Sequence, residues 1–440
     1  MEQLTRVGWI RVGWLSGVLF IILFRPVIGQ GADAPSGSKG LALEEVVRIA
    51  LENHSSIKSA AFQTQAQDAL LHQQMAAYFP NLSLNHSYRT NNVGGRSEGA
   101  SKAFDALSSV ANLSMTLYNF GKREGNVQAA RDTLEATQYS YNATSNDIVL
   151  AAKQAYYGVL QADALVTVDE GTVKNREGLL RQTQSFYDVG TKPKSDVTQA
   201  EANLYLAQAN LIVARNGVEV AWANLRNAMG VDDYPKQPLA DALVTEPVPM
   251  SLEQAKAEAF AARPELHQFD AQLKAQDQQI AVARRNHLPD LLFNSSYGWL
   301  GTDIGTSLFP LAPSWRVELN LNIPIFNGFQ TTYQVQQAMA NYSSTKEQQR
   351  VQRQQVAFQV EQNYRNLAAS SDVVRATTAA ERAAKQNLEL QEARYQVGFA
   401  PIVDVTTAQA TYALAQTGNV NALIAHKLAM AQLLNAIGRQ

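Results

Sequence analysis

The sequence predicts a mainly α protein with a small membrane β part, assembled from a duplicated unit of long coiled helices plus two strands. Three features lead to this prediction. Residues 329–397 contain neither glycine nor proline, four short segments alternate apolar and polar residues, and a block of sequence near residue 190 recurs near residue 398. Uninterrupted helix formers predict a long helix, strict alternation predicts strands, and the recurrence predicts two copies of one unit.

The composition excludes several classes of protein. The chain has 440 residues with 37 basic and 39 acidic side chains, a formal net charge of −2, so no positive excess favours nucleic-acid binding. Cysteine is absent, which excludes disulfides, thiolate metal sites and a cysteine nucleophile. The six histidines are scattered, and no HExxH, GxGxxG or GxSxG motif occurs. We therefore expect no metal, no cofactor and no enzymatic activity.

Residues 1–34 have the pattern of an export signal peptide with its cleavage region. Arg6 and Arg11 supply positive charge, residues 14–24 are mostly apolar, and small residues follow them. The alternative is a single N-terminal anchor helix, for which the apolar core is short. Beyond residue 30 we find no run of about 18 apolar residues, and hence no candidate for a bilayer-spanning helix.

Two copies of the repeating unit are predicted, at residues 41–230 and 250–438. Residues of the same type recur 208 positions apart, among them Gly190 with Gly398, Pro193 with Pro401, and Asp196 with Asp404. Further upstream the spacing is 209, as for Pro80 and Pro289. Residues 231–249, which contain four prolines, are predicted to link the copies.

Each copy is predicted to contain one very long helix followed by a turn and a second long helix. In the second copy, Ala, Gln, Glu, Arg and Leu dominate residues 329–397, and these are strong helix formers. A helix of that length extends roughly 100 Å at about 1.5 Å per residue, which is typical of a coiled coil or a helical barrel. In the first copy, residues 127–187 are predicted to be helical despite three internal glycines.

Four segments alternate with period two, which gives a strand one apolar and one polar side. Leu319 and Leu321 alternate with Glu318 and Asn320, for example. Such strands suit either a soluble sheet on a core or a membrane barrel. We favour the barrel because aromatic residues of the kind found in interfacial girdles lie near the predicted strand ends, namely Tyr88, Tyr297, Trp299 and Trp315.

A membrane barrel of this kind requires several chains. Open sheet edges leave backbone groups unpaired in hydrocarbon, and membrane barrels start at about eight strands. Two chains would supply about 8 strands and three about 12, and a water-filled passage favours the larger number. The Gly- and Ser-containing segments 91–110 and 300–313 are predicted to be the outer loops.

These features together resemble the TolC-like outer membrane efflux protein family, and the resemblance extends over nearly the whole mature chain. The motifs that carry the resemblance are LALEEVVRIALENHSSI, YFPNLSL, HLPDLLF, IPIFNGF, VGTKPKSDV and VGFAPIVDV. The resemblance implies a homotrimer with a 12-stranded β-barrel in the outer membrane and an α-helical barrel in the periplasm, with the linker in an equatorial belt. It also implies contact with outer-membrane lipid, docking to a periplasmic adaptor (membrane fusion) protein, and an inner-membrane transporter as partner.

The resemblance further implies that the VG…DV turns lie at the periplasmic tip, where the duct is closed. Asp196 and Asp404 then lie on those turns, with Tyr395 one turn before Gly398. Relatives often carry an acidic residue at the position of Thr407 and a basic residue at that of Ala400. These two departures weaken the expectation of a double carboxylate ring or of an arginine-mediated lock.

The residues themselves allow a simpler role for the turns. Gly190 and Gly398 suit left-handed helix C-caps, and Pro193 and Pro401 suit the end of one helix or the start of the next. An acidic residue in the first helical turn complements the helix dipole, and this role is at least as well supported for Asp196 as gating. For Asp404 we favour a pore role, because a threefold axis would bring three carboxylates together.

Two other classes of function stay open at the level of sequence. A soluble periplasmic coiled-coil scaffold or adaptor would explain the helices, but neither the four amphipathic strands nor the duplication. An outer-membrane component of a type I protein secretion system would share the architecture and differ in cargo. Selectivity among cargoes is expected to belong to the inner-membrane pump.

Overall fold

The structure of the chain is a computed structural model that describes residues 40–94, 101–240, 250–303 and 311–439. The predicted signal peptide 1–34 and residues 241–249 of the predicted linker lie outside the described residues. Within them, long helices and one antiparallel sheet account for most of the chain. The prediction of a mainly helical fold with a small β part is therefore confirmed.

Both halves of the chain show the same order of elements. The first half contains α1 (Leu43–Asn53), α2 (Ser55–Met75), β1 (Asn81–Gly94), β2 (Ser101–Tyr118), α3 (Lys122–Asp188) and α4 (Lys194–Met229). The second half contains α5 (Leu252–Ala262), α6 (Pro264–Arg285), β3 (Asp290–Asp303), β4 (Ala312–Asn322), α7 (Gln330–Gln396) and α8 (Ile402–Ala436). Among the described residues, no helix is both long enough and apolar enough to cross a bilayer.

The longest helices, α3 and α7, have 67 residues each and so extend roughly 100 Å. The predicted bounds of α7 differ from the observed ones by one residue at each end, whereas α3 begins five residues earlier than predicted. Gly125 lies in that extra turn, where an added Cβ would meet Val282 Cγ2 at 2.5 Å. This glycine permits α3 and α6 to approach closely, and packing therefore outweighs its poor helix propensity.

Each long helix runs beside the helix that follows it, so α3 packs along α4 and α7 along α8. Two apolar clusters fix these pairs to the short helices. Around α1, the buried residues include Val46, Tyr156, Trp222 and Leu225. Around α5, they include Ala255, Val360, Leu367 and Leu433.

The shorter helices α2 and α6 differ in their partners. Helix α6 packs against both α3 and α7. Helix α2 packs against α3 and has no comparable contact with α7 within the described chain. Side chains on its free side are accordingly exposed, including Phe62 at 66% and Leu70 at 47%. Among the described residues, one face of α2 therefore has no packing partner.

The four strands form one antiparallel sheet in the order β1-β2-β3-β4, so β1 and β4 are its edges. Strand pairing continues into segments that were predicted to be outer loops. Residues 91–94, 101–110, 300–303 and 312–313 all belong to strands, and that part of the loop prediction is wrong. Glycine and serine favour turns in sequence, but ladder hydrogen bonds to a neighbouring strand outweigh this local preference.

Candidate functional site

The turn between α3 and α4 ends the first long helix in a left-handed residue. Gly190 has φ +75°, its N–H donates to Tyr187 O at 2.8 Å, and Thr191 N–H donates to Phe186 O at 2.9 Å. This pair of bonds is the Schellman pattern, which satisfies carbonyls left free at a helix end. A Cβ on Gly190 would meet no atom within 4 Å, so the backbone conformation alone favours glycine.

The turn between α7 and α8 repeats this geometry. Gly398 has φ +83°, its N–H donates to Tyr395 O at 3.1 Å, and Phe399 N–H donates to Arg394 O at 2.8 Å. Pro193 and Pro401 occupy the N-cap positions of α4 and α8, both with φ −75°. Glycine and proline thus end one helix and begin the next within a few residues.

Asp196 and Asp404 lie in the first turns of α4 and α8, respectively. The backbone N–H of each donates to the N-cap proline carbonyl at 3.1 Å. Both carboxylate side chains are half-buried, and Thr407, one turn beyond Asp404, is exposed. This placement suits compensation of the helix dipole, and it leaves Asp404 and Thr407 accessible beside the tip.

Tyr395 does not face solvent at the tip. Its side chain is 0% exposed and packs in a cluster with Leu179, Ala200 and Val405, which belong to α3, α4 and α8. In the single chain Tyr395 is therefore a packing residue between the two hairpins. The physical reason is that the α3–α4 hairpin packs over this face of α7 and covers the ring.

Polar contacts around Tyr395 connect the two hairpins. Its hydroxyl lies 3.4 Å from Thr183 Oγ1, and Lys192 Nζ lies 5.0 Å from the centre of its ring. Burial raises the pKa of the Tyr395 phenol, the Thr183 contact opposes this shift, and the charge of Asp196 adds to it. The ring of Phe186 packs against it at 5.8 Å between centroids.

Ala400, where the family resemblance led us to expect a basic residue, is 3% exposed and belongs to the same apolar cluster. In this chain the position therefore contributes packing between the hairpins. A long cationic side chain would have to leave the cluster to reach water.

A layer of buried polar residues lies next to this cluster, between α3 and α8. The Arg176 guanidinium donates to Thr406 O at 3.4 and 3.3 Å, and burial lowers the pKa of Arg176. The Gln409 amide donates to Asn175 O at 3.4 Å and to Glu392 Oε1 at 3.3 Å. Sequence analysis missed this layer, because nothing in the pattern of a single helix shows which polar residues another helix will cover.

The sheet separates apolar from polar side chains by face. Leu82 pairs with Leu113, Met115 with Phe293, and Phe293 with Leu319, so these apolar residues share one face. That face is exposed, with Leu319 at 64% and Leu82 at 72%. The opposite face is polar and contains Asn294, Arg316, Glu318, Asn320 and the hydrogen-bonded pair of Ser87 and Ser108.

The predicted aromatic residues lie on the exposed apolar face. Tyr297 pairs with Trp315 across the strands, and the rings of Tyr297 and Trp299 are 5.5 Å apart, edge to face. Tyr88 is 60% exposed, and beyond it the same face turns polar, with the Thr90 hydroxyl 2.7 Å from Asp105 Oδ1. The strands continue past these aromatic residues. The aromatic residues therefore lie at a polar–apolar boundary within the sheet and not at the strand ends.

A second group of exposed aromatic residues lies at the helical end of the sheet and was missed in the sequence analysis. It comprises Phe79, Tyr118, Phe326 and Phe329, which are between 54% and 75% exposed. Between Trp315 and Ile323 a strand covers roughly 26 Å, or roughly 20 Å along a barrel axis at the usual tilt. That is comparable to the apolar band of about 25 Å in outer-membrane barrels. Aromatic residues on both sides of an apolar run are the sequence pattern from which this second group could have been predicted.

Comparison with known proteins agrees with this geometry. The outer membrane protein TolC of Vibrio cholerae is 27% identical over 408 residues, covering 90% of each chain. That of Escherichia coli is 25% identical and covers 90% of this chain and 82% of its own. The crystal structure of the Campylobacter jejuni CmeC outer membrane channel superposes with a TM-score of 0.79 at 18% identity, covering 90% of this chain and 85% of its own.

The profile of a protein family described as "Outer membrane efflux protein" matches the chain twice, at residues 46–231 and 256–439. These two matches cover most of the described residues, including the tip turns and the sheet. The chain belongs to the outer membrane efflux protein family.

Proposed function

We propose that three copies of this chain form one exit duct, with a 12-stranded β-barrel in the outer membrane that continues into a periplasmic α-helical barrel. Membership of its family makes the chain a passive outer-membrane efflux channel with a large periplasmic helical part, and not an enzyme. The observation that carries the proposal is the four-stranded sheet, which has an exposed apolar face and, within the described residues, no partner strand at its edges β1 and β4. In hydrocarbon, such a sheet needs further strands at both edges.

The helices support closure by copies of the same chain. Within the described residues, helix α6 packs between α3 and α7, whereas α2, its counterpart in the first half, packs against α3 and has no comparable contact with α7. In a closed ring the free face of α2 would receive α7 of the neighbouring copy. The exposed apolar residues of α7, including Tyr333, Val351 and Phe358, provide a matching apolar surface.

In this proposal residues 41–230 and 250–438 are the two repeats, 1–34 is the signal peptide, and 231–249 is the linker in the equatorial region. The described start of the linker supports this arrangement. Leu41 N–H donates to Pro238 O at 2.8 Å, and Ala240 N–H donates to Leu41 O at 3.1 Å. The Tyr156 hydroxyl also donates to Leu41 O, so the linker is fixed beside α3.

A soluble periplasmic scaffold or adaptor, the alternative considered from sequence, does not fit. Its sheet would have to cover the apolar face, but Leu319, Val317 and Trp315 are all more than half exposed. The family of the chain consists of outer-membrane proteins. The apolar face is instead suited to outer-membrane lipid.

The helical tip is proposed as the gate. Asp404, Asp196 and Thr407 would lie around the threefold axis, while buried Tyr395 would hold the α3–α4 and α7–α8 hairpins together. A periplasmic adaptor and an inner-membrane transporter would favour an arrangement in which the hairpins move apart. Drug efflux or type I secretion would then depend on the transporter that supplies the cargo.

The experiment that tests the gate measures ion selectivity of single channels in planar bilayers. Asp404→Ala should reduce the preference for cations, because three converging carboxylates attract cations and repel anions. Glu45→Ala, which removes an exposed carboxylate from the first turn of α1, away from the α3–α4 and α7–α8 turns, is the control. If Asp404→Ala leaves selectivity unchanged in several salts, Asp404 compensates the helix dipole and has no pore role.

A further inference from the structure

The strands of the two halves are equivalent residue by residue. In the first half Leu82 pairs with Leu113, and in the second half Leu291 pairs with Leu321. Equivalent residues are therefore 209 apart between β1 and β3 and 208 apart between β2 and β4. The same relation holds farther along, since Tyr88 pairs with Leu107 and Tyr297 with Trp315.

One junction between halves is visible in the chain, where β2 pairs with β3. Val110 pairs with Gly298 there, and Ala111 pairs with Tyr297. In a closed ring, the junction of β4 with β1 of the next copy takes the corresponding place. A Cβ on Gly298 would meet Ser109 O at 2.2 Å, so at the residue equivalent to Gly298 the seam strands must lie farther apart than β2 and β3 do. The residue of β4 that is equivalent to Val110 of β2 lies 208 positions later and is Glu318. The residue of β1 that is equivalent to Gly298 of β3 lies 209 positions earlier and is Arg89.

We propose that Glu318 of one copy pairs directly with Arg89 of the next copy, on the polar face of the barrel, at each of the three subunit seams. This inference rests on the proposed trimer. The visible junction has Val110 and Gly298 at the equivalent place, so the ion pair belongs to the seam alone. The same register places Leu319 opposite Tyr88 of the next copy on the apolar face.

Charge and exposure support the pair. Arg89 is exposed and, within the described part of the chain, no carboxylate lies in ion-pair range of it. Glu318 Oε1 lies 3.4 Å from Arg316 Nε of its own strand, and the Glu318 side chain is 41% exposed on the edge strand β4. Opposite charges directly across two antiparallel strands stabilise their pairing.

Alternative registers of the seam are less favourable. A shift by one residue would turn Arg89 to the apolar face. A shift by two residues in one direction keeps the faces but places Arg316 opposite Arg89, two like charges, and in the other direction it places Asn320 there. Of these registers, only the proposed one gives Arg89 a carboxylate partner.

Cross-linking between introduced cysteines tests the register, since the natural chain has no cysteine and hence no background. Glu318→Cys with Arg89→Cys brings two Cβ atoms to about 4.5–5.5 Å, within disulfide reach, in the proposed register. Glu318→Cys with Ser87→Cys is the matched control. Its two positions lie on the same face of the barrel but are diagonal neighbours, about 7–8 Å apart. Oxidation of outer membranes should convert the first pair to covalent dimers and trimers and leave the control largely monomeric on denaturing gels.

Other results overturn the proposal. Preferential cross-linking of the control pair would mean that the register is shifted by two residues. If neither pair forms cross-links in particles that still have the mass of three chains, the proposed pairing of β4 with β1 of the next copy is wrong. Particles with the mass of one chain would overturn the proposed trimer together with the seam.

A charge exchange gives a second readout that does not depend on cysteine. Glu318→Arg alone should lower the temperature at which the trimer dissociates, because it places two cations at the seam. Combining it with Arg89→Glu should restore most of that shift. Equal dissociation temperatures for the single and double variants would contradict the pairing.

Discussion

At the scale of residues, the tip combines positions that follow from local chemistry with positions that follow from distant packing. Gly190 and Gly398 are left-handed in the structure, as a glycine before a helix-starting proline suggests. Tyr395 is different, since its burial depends on α3 and α4, which are about 200 residues away in sequence. The expectation from family resemblance placed it on the tip without showing which way the ring faces.

We expect the stability of the tip to depend on alkaline pH through Tyr395. Because burial raises the phenol pKa above its usual value near 10, the neutral form stabilises the folded state. This contribution is complete below pH 10 and is lost as pH rises through the raised pKa. We predict that Tyr395→Phe reduces the loss of stability as pH rises above 10, at a cost at pH 8 of about 1 kcal/mol or less for the lost hydroxyl contact.

Denaturant unfolding followed by helical circular dichroism at several pH values would check this prediction. Tyr412→Phe, at a half-buried tyrosine of α8, is the matched control. If the two variants show the same change with pH, burial of the Tyr395 phenol does not govern the alkaline stability of the tip.

At the scale of elements, the long helices could be predicted closely and the strands only in part. Helix α7 follows from an uninterrupted run of helix formers, and its observed bounds, Gln330–Gln396, lie within one residue of the prediction. Strands β1 and β2 extend past the apolar alternation into segments without it, such as residues 101–107. Local composition does not show this extension, because it is stabilised by the neighbouring strand.

The two faces of β4 give a direct test of the membrane assignment. We predict that Leu319→Arg, on the exposed apolar face, destabilises the inserted protein by about 2–4 kcal/mol, as a cation near the midplane of a membrane barrel does. Asn320→Arg, one residue along on the polar face, should change it by less than about 1 kcal/mol. Folding into lipid vesicles in increasing urea measures both variants, and equal effects would mean that the Leu319 face does not contact lipid.

At the scale of the whole molecule, the single chain is open in two places. In the part of the chain that the structure describes, β1 and β4 are the edge strands of the sheet, and α2 has no contact with α7 comparable to that of α6. Both openings lie where the first half would meet the second half of another copy, so one rotational arrangement can close them together. The sequence could predict the need for several chains from its four strands, but not the partner of each edge.

The mass of the particle extracted from outer membranes in detergent, corrected for bound detergent, tests closure by three copies most directly. We predict a species of about three times the 48.2 kDa of the full chain, less any signal peptide that is removed. A single-chain species in the soluble periplasmic fraction would contradict the trimeric duct.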